Sequence, residues 1–429
     1  MAEDGNKTRP LRTLTVKNFS VIKDAKLEFG KITVLIGPQA SGKSLLCRLA
    51  YFFGNELIHL AAEKGNRQLD FPGFLDYVES EFEKRFPRDG WGPDQFRIHF
   101  SQDEYEVSAQ RFARGAGDED YVRIEFNRKF KELYESHPRS GMGHLGEGPG
   151  NAYYESIFSF RRLQRHRPLD RTIYIPAGRS YFINSSRGYR VLAAEGETDP
   201  VLKGFAIVFE DARSLARSTP SVERYLGGKI ARGGTGYLFK FEDGRVLPLD
   251  KLASGTQELL PMLCVLDQYK VTRASDLRNE TIDPNQFPPD IQSYDEFFIE
   301  EPEVHVFPST QYELVCIFAQ LSNSDDVNPH FTITTHSPYI LSSFNNLIEA
   351  GQAARNNPKL RAKIAKIVPE QYWIKKGDFA AYSIEDGKLK SILNRSGFVE
   401  GNYLDQVSEV IGNEFDKLLG LEYERTKAS

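Results

Sequence analysis

The stretch IGPQASGKSLLCRLAYFF, residues 36–53, restricts the fold of this chain more than any other part of the sequence. It places Gly37, Gly42, Lys43 and Ser44 in the pattern G-x-x-x-x-G-K-[S/T], between an apolar strand-like run, KITVLIG, and an apolar helix-like run. Glycines at these positions let backbone N–H groups converge on phosphate oxygens at the positive end of a helix. The sequence therefore predicts a strand, a phosphate-binding loop and a helix in direct succession.

The phosphate-binding loop supplies the candidate nucleotide contacts. We expect Lys43 to reach the β- and γ-phosphates of ATP, and the hydroxyl of Ser44 to ligate Mg²⁺. The candidate contacts are Gly37, Pro38, Gln39, Ala40, Ser41, Gly42, Lys43, Ser44 and Leu45.

A second candidate site follows the apolar strand-like run EFFIE, where Glu300 and Glu301 are adjacent. Two carboxylates at the end of a strand suit a nucleotide site, because one can hold the metal through water and the other can deprotonate the attacking water. Alone, such a pair is more often a charged strand terminus. The phosphate loop upstream favours the catalytic interpretation.

Two further motifs each allow two interpretations. Ser254 and Gln257 in LASGTQELLPML form a capping-box pattern, but a helix starting there would also offer Ser254 and the Gly255 amide to a γ-phosphate bound by another subunit. His336 follows the β-branched run HFTITT, where it is either structural or a hydrogen-bond donor to a γ-phosphate. Pro261 lies inside the helix predicted to start at Ser254 and should kink that helix or displace its hydrogen bonding.

The remaining pattern predicts a mixed α/β chain. Alternation around turns near Asn18 and Gly30 predicts strands, Asp243-Gly244 predicts a hairpin, and helices are predicted over residues 44–57 and 254–269 and in a carboxyl-terminal amphipathic stretch. The predicted segments are an amino-terminal core part (1–63), an inserted arm or lid (64–170), a core part with the hairpin and residue 254 helix (171–270), a surface insertion (271–293) and a closing core part (294–429).

Composition excludes several classes of protein. The 429 residues carry a formal net charge of -5, which argues against a surface devoted to nucleic acid, although a local basic patch remains open. Cys47, Cys264 and Cys316 lie in apolar contexts and are expected to be buried reduced thiols rather than disulfides or a zinc hook. No apolar run is long enough to span a bilayer, and the first residues lack the apolar core of a secretory signal. We therefore expect a cytoplasmic location without a membrane partner.

The order of these motifs resembles the ABC-type ATPases, in particular the soluble group that includes RecF, the SMC heads and the OLD-type ATPases. IEEPEVHVFP and TTHSPYIL look most like the OLD type. The resemblance implies an α/β P-loop NTPase of ABC-ATPase type, with a mixed sheet and an inserted, largely helical arm or lid. It covers residues 11–53 and 237–341 well and the region between them poorly.

The resemblance also implies roles for single residues. Glu300 would be the metal-side acid, Glu301 the catalytic base and His336 the switch histidine, while Ser254 and Gly255 would be the signature supplied in trans. Three departures stand out: Gln39-Ala40 replaces the more usual Asn-Gly of the loop, Ala253-Ser254 precedes the signature glycine, and Glu300 replaces the commoner Asp.

We expect a stand-alone ATPase that senses a trigger and gates a separate effector. This resembles ATPase subunits of two-component anti-phage systems such as PARIS and Septu, and it implies at least a homodimer, a TOPRIM or HNH nuclease as effector, and a nucleic acid or phage protein as trigger. FVEGNYLD resembles the opening of a TOPRIM domain, but no Asp-x-Asp follows it. A transporter subunit is disfavoured by the OLD-like motifs. The main alternative is a DNA-repair or chromosome-maintenance head that contacts DNA through Arg161, Arg162, Arg165, Arg167 and Arg171.

Overall fold

The computed structural model describes residues 12–66, 69–112, 120–136, 156–157, 159–164, 171–184, 199–215, 219–234, 236–279, 295–324 and 328–400. Several predicted features lie outside the described residues: Arg165, Arg167, the Gly-rich run at 140–151 and the carboxyl-terminal helix at 402–424.

An eleven-stranded mixed sheet and a smaller three-stranded sheet organise these ranges. The strands are β1 (Arg12–Phe19), β2 (Ile22–Glu28), β3 (Ile32–Ile36), β4 (Arg97–Gln102), β5 (Tyr105–Phe112), β6 (Tyr121–Phe126), β7 (Thr172–Ile175), β8 (Gly228–Arg232), β9 (Tyr237–Phe241), β10 (Val246–Pro248), β11 (Glu296–Glu300), β12 (His330–Thr335), β13 (Phe379–Glu385) and β14 (Lys388–Ser391). The large sheet has the order β6-β5-β4-β1-β2-β14-β13-β3-β12-β11-β7, and the small sheet has the order β10-β9-β8. Strands β13, β3, β12, β11 and β7 run parallel, whereas β2, β1, β4, β5 and β6 are joined by antiparallel pairs.

Helices cover both faces of the large sheet. They are α1 (Lys43–Tyr51), α2 (Leu57–Asn66), α3 (Phe71–Arg85), α4 (Arg128–Ser136), α5 (Ser180–Asn184), α6 (Pro200–Leu215), α7 (Pro220–Leu226), α8 (Ser254–Asn279), α9 (Pro308–Ser322), α10 (Pro338–Asn356) and α11 (Arg361–Ala365). A π-helical segment, Phe52–Glu56, joins α1 to α2. None of the described helices is long and apolar enough to cross a membrane.

The central strands are apolar without alternation because both of their faces are buried. In β11, Phe297 and Ile299 pack into one hydrophobic core, and Phe298 packs into a second core on the opposite face. Parallel strands covered on both sides are expected to have this continuous apolar composition. The predicted strands EFFIE and HFTITT are confirmed as β11 and β12.

The local predictions hold for most elements. Gly244 has a φ of 91° in the turn that joins β9 to β10, so the Asp243-Gly244 hairpin is confirmed. Cys47, Cys264 and Cys316 are buried and free, as expected.

Two helices extend beyond their predicted ends. After α1, the π-helical segment and α2 carry helical structure to Asn66, beyond the predicted end at residue 57. Helix α8 continues past Tyr269 to Asn279, into the stretch predicted to be a surface insertion. Within this extension, Arg273 is buried and its charge is neutralised by Asp295, with Nε 2.9 Å from Oδ2. The polar composition of this stretch predicted an exposed segment, and it does not reveal that Arg273 is buried.

The predicted insertion at 64–170 contributes to the main sheet. Its helices α3 and α4 pack beside strands β4, β5 and β6, and β4 pairs antiparallel with β1. The described part of the segment therefore shares a hydrophobic core with the nucleotide-loop half of the chain. Its role as a lid or arm stays a prediction.

Candidate nucleotide site

Three functional segments meet at one edge of the large sheet. The neighbouring strands β3, β12 and β11 are parallel and in register, with Ile36 opposite Thr335 and Thr334 opposite Glu300. The segments that follow these strands begin with Gly37, His336 and Glu301, so they leave the sheet side by side. Ligands of open α/β sheets bind at this carboxyl edge.

The phosphate loop depends on its glycines for space as well as for conformation. Gly42 has a φ of 102°, and a Cβ added to it would lie 2.4 Å from the Cδ1 atom of Ile22. A Cβ on Gly37 would lie 2.6 Å from the backbone oxygen of Ile384 in β13. Ala40 adopts a left-handed φ of 58°, which explains why glycine is the more usual residue there. The departure is therefore tolerated at a conformational cost.

The amino terminus of α1 offers uncompensated N–H groups beside Lys43. Helix α1 begins at Lys43 with Gly42 as its N-cap, and no side chain caps it. The first N–H groups of a helix have no intrahelical partner and attract anions. Lys43 is only 4% exposed, and its Nζ donates to the carbonyls of Gly37 (2.8 Å) and Pro38 (2.9 Å). Burial lowers the pKa of Lys43, while the negative charges of Glu301 and Glu303 oppose that shift.

The loop fits a nucleotide phosphate, and its neighbours fit Mg²⁺. The Oγ of Ser41 is buried and has no hydrogen-bond partner among the described residues. An orphaned hydroxyl, uncapped helix N–H groups and a lysine ammonium together are the donors that a phosphate needs. The hydroxyl of Ser44 and the carboxylate of Glu300 are the oxygen ligands that Mg²⁺ prefers.

Hydrogen bonds from within the protein hold the carboxylate of Glu300 in place without a metal ion. Its Oε1 accepts a hydrogen bond from the hydroxyl of Tyr174 at 2.6 Å, and its Oε2 accepts one from the backbone N–H of Ala177 at 3.1 Å. The Arg48 Nε lies 3.9 Å from Oε1. Burial and the charge of Glu300 raise the pKa of Tyr174 well above its usual value, so the hydroxyl remains a donor at neutral pH. These partners hold the carboxylate in one orientation.

Glu301 and His336, predicted as base and switch residue, are in contact. The Glu301 Oε1 lies 3.2 Å from the His336 Nε2, and both side chains are about one-third exposed (29% and 33%). The backbone of Glu301 is in the left-handed region at φ 42°, and its N–H donates to the Thr334 carbonyl at 2.9 Å. Left-handed non-glycine residues cost on the order of 1–2 kcal/mol each, so the surrounding bonds must hold this conformation.

Glu303, Arg179 and Glu258 also belong to the site, although sequence reasoning did not assign them. The Glu303 Oε1 accepts from the backbone N–H of His336 at 2.6 Å, and its Oε2 is buried with no hydrogen-bond partner among the described residues. Arg179 comes shortly after β7, which pairs parallel with β11 and ends at the same edge of the sheet. Its position after a predicted strand was therefore a signal that could have assigned it to the site. Glu258, a lone carboxylate at the start of an apolar helical run, was a second signal.

Ser254 and Gly255 lie at the start of α8, as predicted, and Ser254 is exposed. The amide of Gln257 donates to the carbonyls of Asp250 (3.1 Å) and Leu252 (2.8 Å). A Cβ on Gly255 would lie 2.6 Å from the backbone oxygen of His305. Gly255 is therefore required by a contact within its own chain.

The arginine cluster proposed for DNA is not a single exposed face. Arg161 is buried, with its guanidinium donating to the Asn55 Oδ1 at 3.1 Å. Arg171 is half-buried, and its Nη1 lies 3.2 Å from the Thr272 hydroxyl. Of the three described members of this cluster, only Arg162 is exposed. The described part of the cluster does not form a track for a phosphate backbone.

A phosphate loop, an acidic pair and a histidine at the carboxyl edge of a mixed sheet place the protein in the P-loop ATPase class. The chain belongs to the family described as "AAA domain, putative AbiEii toxin, Type IV TA system", which matches residues 32–342.

Among solved structures, the chain is similar to an SMC head domain from Thermotoga maritima, with 11% identity, a TM-score of 0.36 and coverage of 90% of this chain and 98% of that one. It is also similar to the Smc head domain with an extended coiled coil bound to the C-terminal domain of ScpA, derived from Pyrococcus furiosus, with 12% identity, a TM-score of 0.35 and coverage of 90% and 96%. No curated protein sequence matches the chain.

Proposed function

We propose that the chain binds ATP with Mg²⁺ and hydrolyses it at the site formed by the phosphate loop, Glu301 and His336. The observation that supports this most directly is the contact between Glu301 and His336 at the sheet edge next to the loop, with Nε2 and Oε1 3.2 Å apart. A carboxylate held beside a histidine at a phosphate site can accept the proton of an attacking water.

The proposed roles follow from the positions of the groups. Lys43 and the first N–H groups of α1 bind the phosphates, and Ser44 with Glu300 would hold Mg²⁺, which when bound neutralises phosphate charge. Glu301 accepts the proton from water, and His336 orients Glu301.

The experiment compares two variants that should fail differently. Glu301→Gln keeps the size of the side chain but removes the base, so ATP-Mg²⁺ should still bind while turnover falls by about 10²–10⁴-fold. Lys43→Ala removes a phosphate contact, so equilibrium binding of ATP-Mg²⁺ should itself weaken. Both quantities are measured for each variant and for the parent chain.

A matched control removes a carboxylate elsewhere. Glu370 is an exposed acid that pairs with Arg361, so Glu370→Gln should leave turnover and binding unchanged. If Glu301→Gln hydrolyses ATP within about threefold of the parent, well short of the loss expected for a general base, Glu301 is not the base. If the parent itself shows no turnover, the hydrolytic function is wrong.

The wider role that we propose is a cytoplasmic regulatory subunit that works as at least a dimer and gates a separate effector in anti-phage defence. Ser254 is exposed at the start of α8, which suits a contact with nucleotide held by a second copy. The effector would be a TOPRIM or HNH nuclease, released or activated when a nucleic acid or phage protein is sensed.

This wider role is tested by co-expression with the product of the neighbouring gene. A nuclease that co-purifies with the chain, and whose activity differs between the parent and Glu301→Gln, would support gating. A neighbouring membrane permease that co-purifies instead would contradict it.

A further inference from the structure

One buried arginine connects three parts of the site. Arg179 is fully buried, and its guanidinium donates to the carbonyls of Pro176 (Nη1, 3.1 Å), Glu300 (Nη1, 2.7 Å) and Glu301 (Nη2, 3.0 Å). Its Nε donates to the backbone carbonyl of Glu258 in the first turns of α8, at 3.0 Å. One side chain therefore bonds three backbone segments: the residues that follow β7, the acidic pair and the first turns of α8.

The carboxylate of Glu258 completes the connection from the α8 side. It is 3% exposed, and its Oε2 accepts from the backbone N–H of Arg179 at 2.9 Å. Its Oε1 accepts from the hydroxyl of Ser180 at 2.6 Å and from the Ser180 backbone N–H at 3.2 Å. Burial lowers the pKa of Arg179, and the negative charge of Glu258 opposes this shift. Removing two charges from water is costly, so the pair is a weak source of stability.

We propose that Arg179, with Glu258, is a positioning residue that fixes the backbone of Glu301 relative to the start of α8. The proposal rests on the proposed ATPase function. Arg179 touches neither nucleotide nor water in this scheme, and acts by holding the carbonyl of Glu301 while Thr334 holds its N–H. If Ser254 and Gly255 contact the nucleotide of a partner copy, a shift of α8 would then move the Glu301 base of the same chain.

The chemistry of the site requires arginine rather than another cation. The rigid guanidinium bonds four carbonyls on two sides at once, and a lysine ammonium has only three donors around one point. In Arg179→Lys, the charge is kept while the geometry that spans Glu258 and Glu301 is lost. A displacement of the base by about 1 Å can cost about 10²-fold in rate.

The experiment compares Arg179→Lys with Arg273→Lys. Arg273 is also buried, lies in α8 like Glu258, and pairs with the buried Asp295 at the opposite end of β11 from Glu301. Each variant loses one buried guanidinium, so both should lose stability to a similar degree in urea unfolding. Arg179→Lys should lower ATP turnover at saturating ATP by about 10–100-fold, while its binding of ATP-Mg²⁺ stays within about threefold of the parent. Arg273→Lys should retain parental turnover.

Glu258→Gln is the second variant, in case Arg179→Lys does not fold. It is nearly isosteric, but its amide NH2 replaces one of the two oxygens that accept from Arg179 and Ser180 and cannot accept in its place. It should show the same split between retained binding and reduced turnover. Parental turnover in a folded Arg179→Lys or Glu258→Gln, or equal loss in the Arg273→Lys control, would overturn the positioning role. The comparison requires that the parent chain hydrolyses ATP. Absence of turnover in the parent would contradict the ATPase proposal, whereas the outcomes above contradict only the positioning role.

Discussion

Substituting alanine for Gly42 tests whether the phosphate loop is held against the β1–β2 turn as the structure shows. At φ 102° an L residue is strained, and the added Cβ would approach the Cδ1 atom of Ile22 to 2.4 Å. The backbone strain costs about 1–2 kcal/mol, and the overlap adds about 1 kcal/mol, the lower end for overpacking, since the nearest atom is a side-chain terminus. Alanine also restricts the unfolded chain, which returns about 0.5 kcal/mol. The expected net loss is about 2 kcal/mol.

A matched glycine separates strain from overlap. Gly244 has a φ of 91°, but a Cβ there would meet nothing within 4 Å. Gly244→Ala should therefore lose only the strain part, about 1 kcal/mol after the unfolded-state term. It should also leave ATP-Mg²⁺ binding unchanged, whereas Gly42→Ala should weaken it.

The overlap itself is measured by a double-mutant cycle with Ile22→Val, which deletes the Cδ1 atom. In the parent this deletion should cost about 0.5–1.5 kcal/mol. In the Gly42→Ala background it should cost little, giving a coupling of about 1 kcal/mol by urea unfolding. If the two substitutions add within about 0.5 kcal/mol, Gly42 does not pack on Ile22 and the loop geometry described above is wrong.

Two further predictions concern pH and assembly. Burial and the positive charge of Arg161 lower the pKa of His59 from 6.5 to about 3, so below pH 6.5 the unfolded chain binds a proton that the folded chain does not, and stability falls as the pH falls. At pH 5 this loss is about 2 kcal/mol; urea unfolding at pH 7 and 5 should show a smaller drop for His59→Gln than for the parent, and equal drops would contradict it. Light scattering at micromolar protein should show at least a dimer with ATP-Mg²⁺, and a monomer both with and without the nucleotide would refute the assembly.

The site was predictable to the extent that it depends on local order along the chain. Gly37 and Lys43 follow a recognisable strand, and Glu301 and His336 each follow another, so parallel pairing of these strands was enough to bring them to one edge. Arg179 was missed because its role depends on bonds to the backbone of segments far away in sequence, and hydrogen bonds to carbonyls leave no pattern in residue type.

The mixed α/β class of the fold was predictable from the sequence, but the order of the strands in the sheet was not. Alternation of apolar residues identifies strands, yet it does not say which strands become neighbours, because pairing is decided by packing across the whole chain. The position of β13 and β14 between β2 and β3 is the clearest example. Similarly, the polar stretch at the end of α8 contains Arg273, which forms a buried pair with Asp295 although both residues are charged and would be predicted from the sequence to be exposed.

The place of β13 beside β3 has a consequence for how the protein is made. Phe379 pairs with Ile32, and Gly37 packs against the backbone of Ile384. One side of the phosphate loop is therefore packed against residues that are synthesised near the end of the described chain. During synthesis β3 emerges early but lacks this neighbour until β13 has left the ribosome, and contacts between such distant residues form slowly. A nascent or prematurely terminated chain thus carries the complete nucleotide-binding motif without the complete nucleotide site.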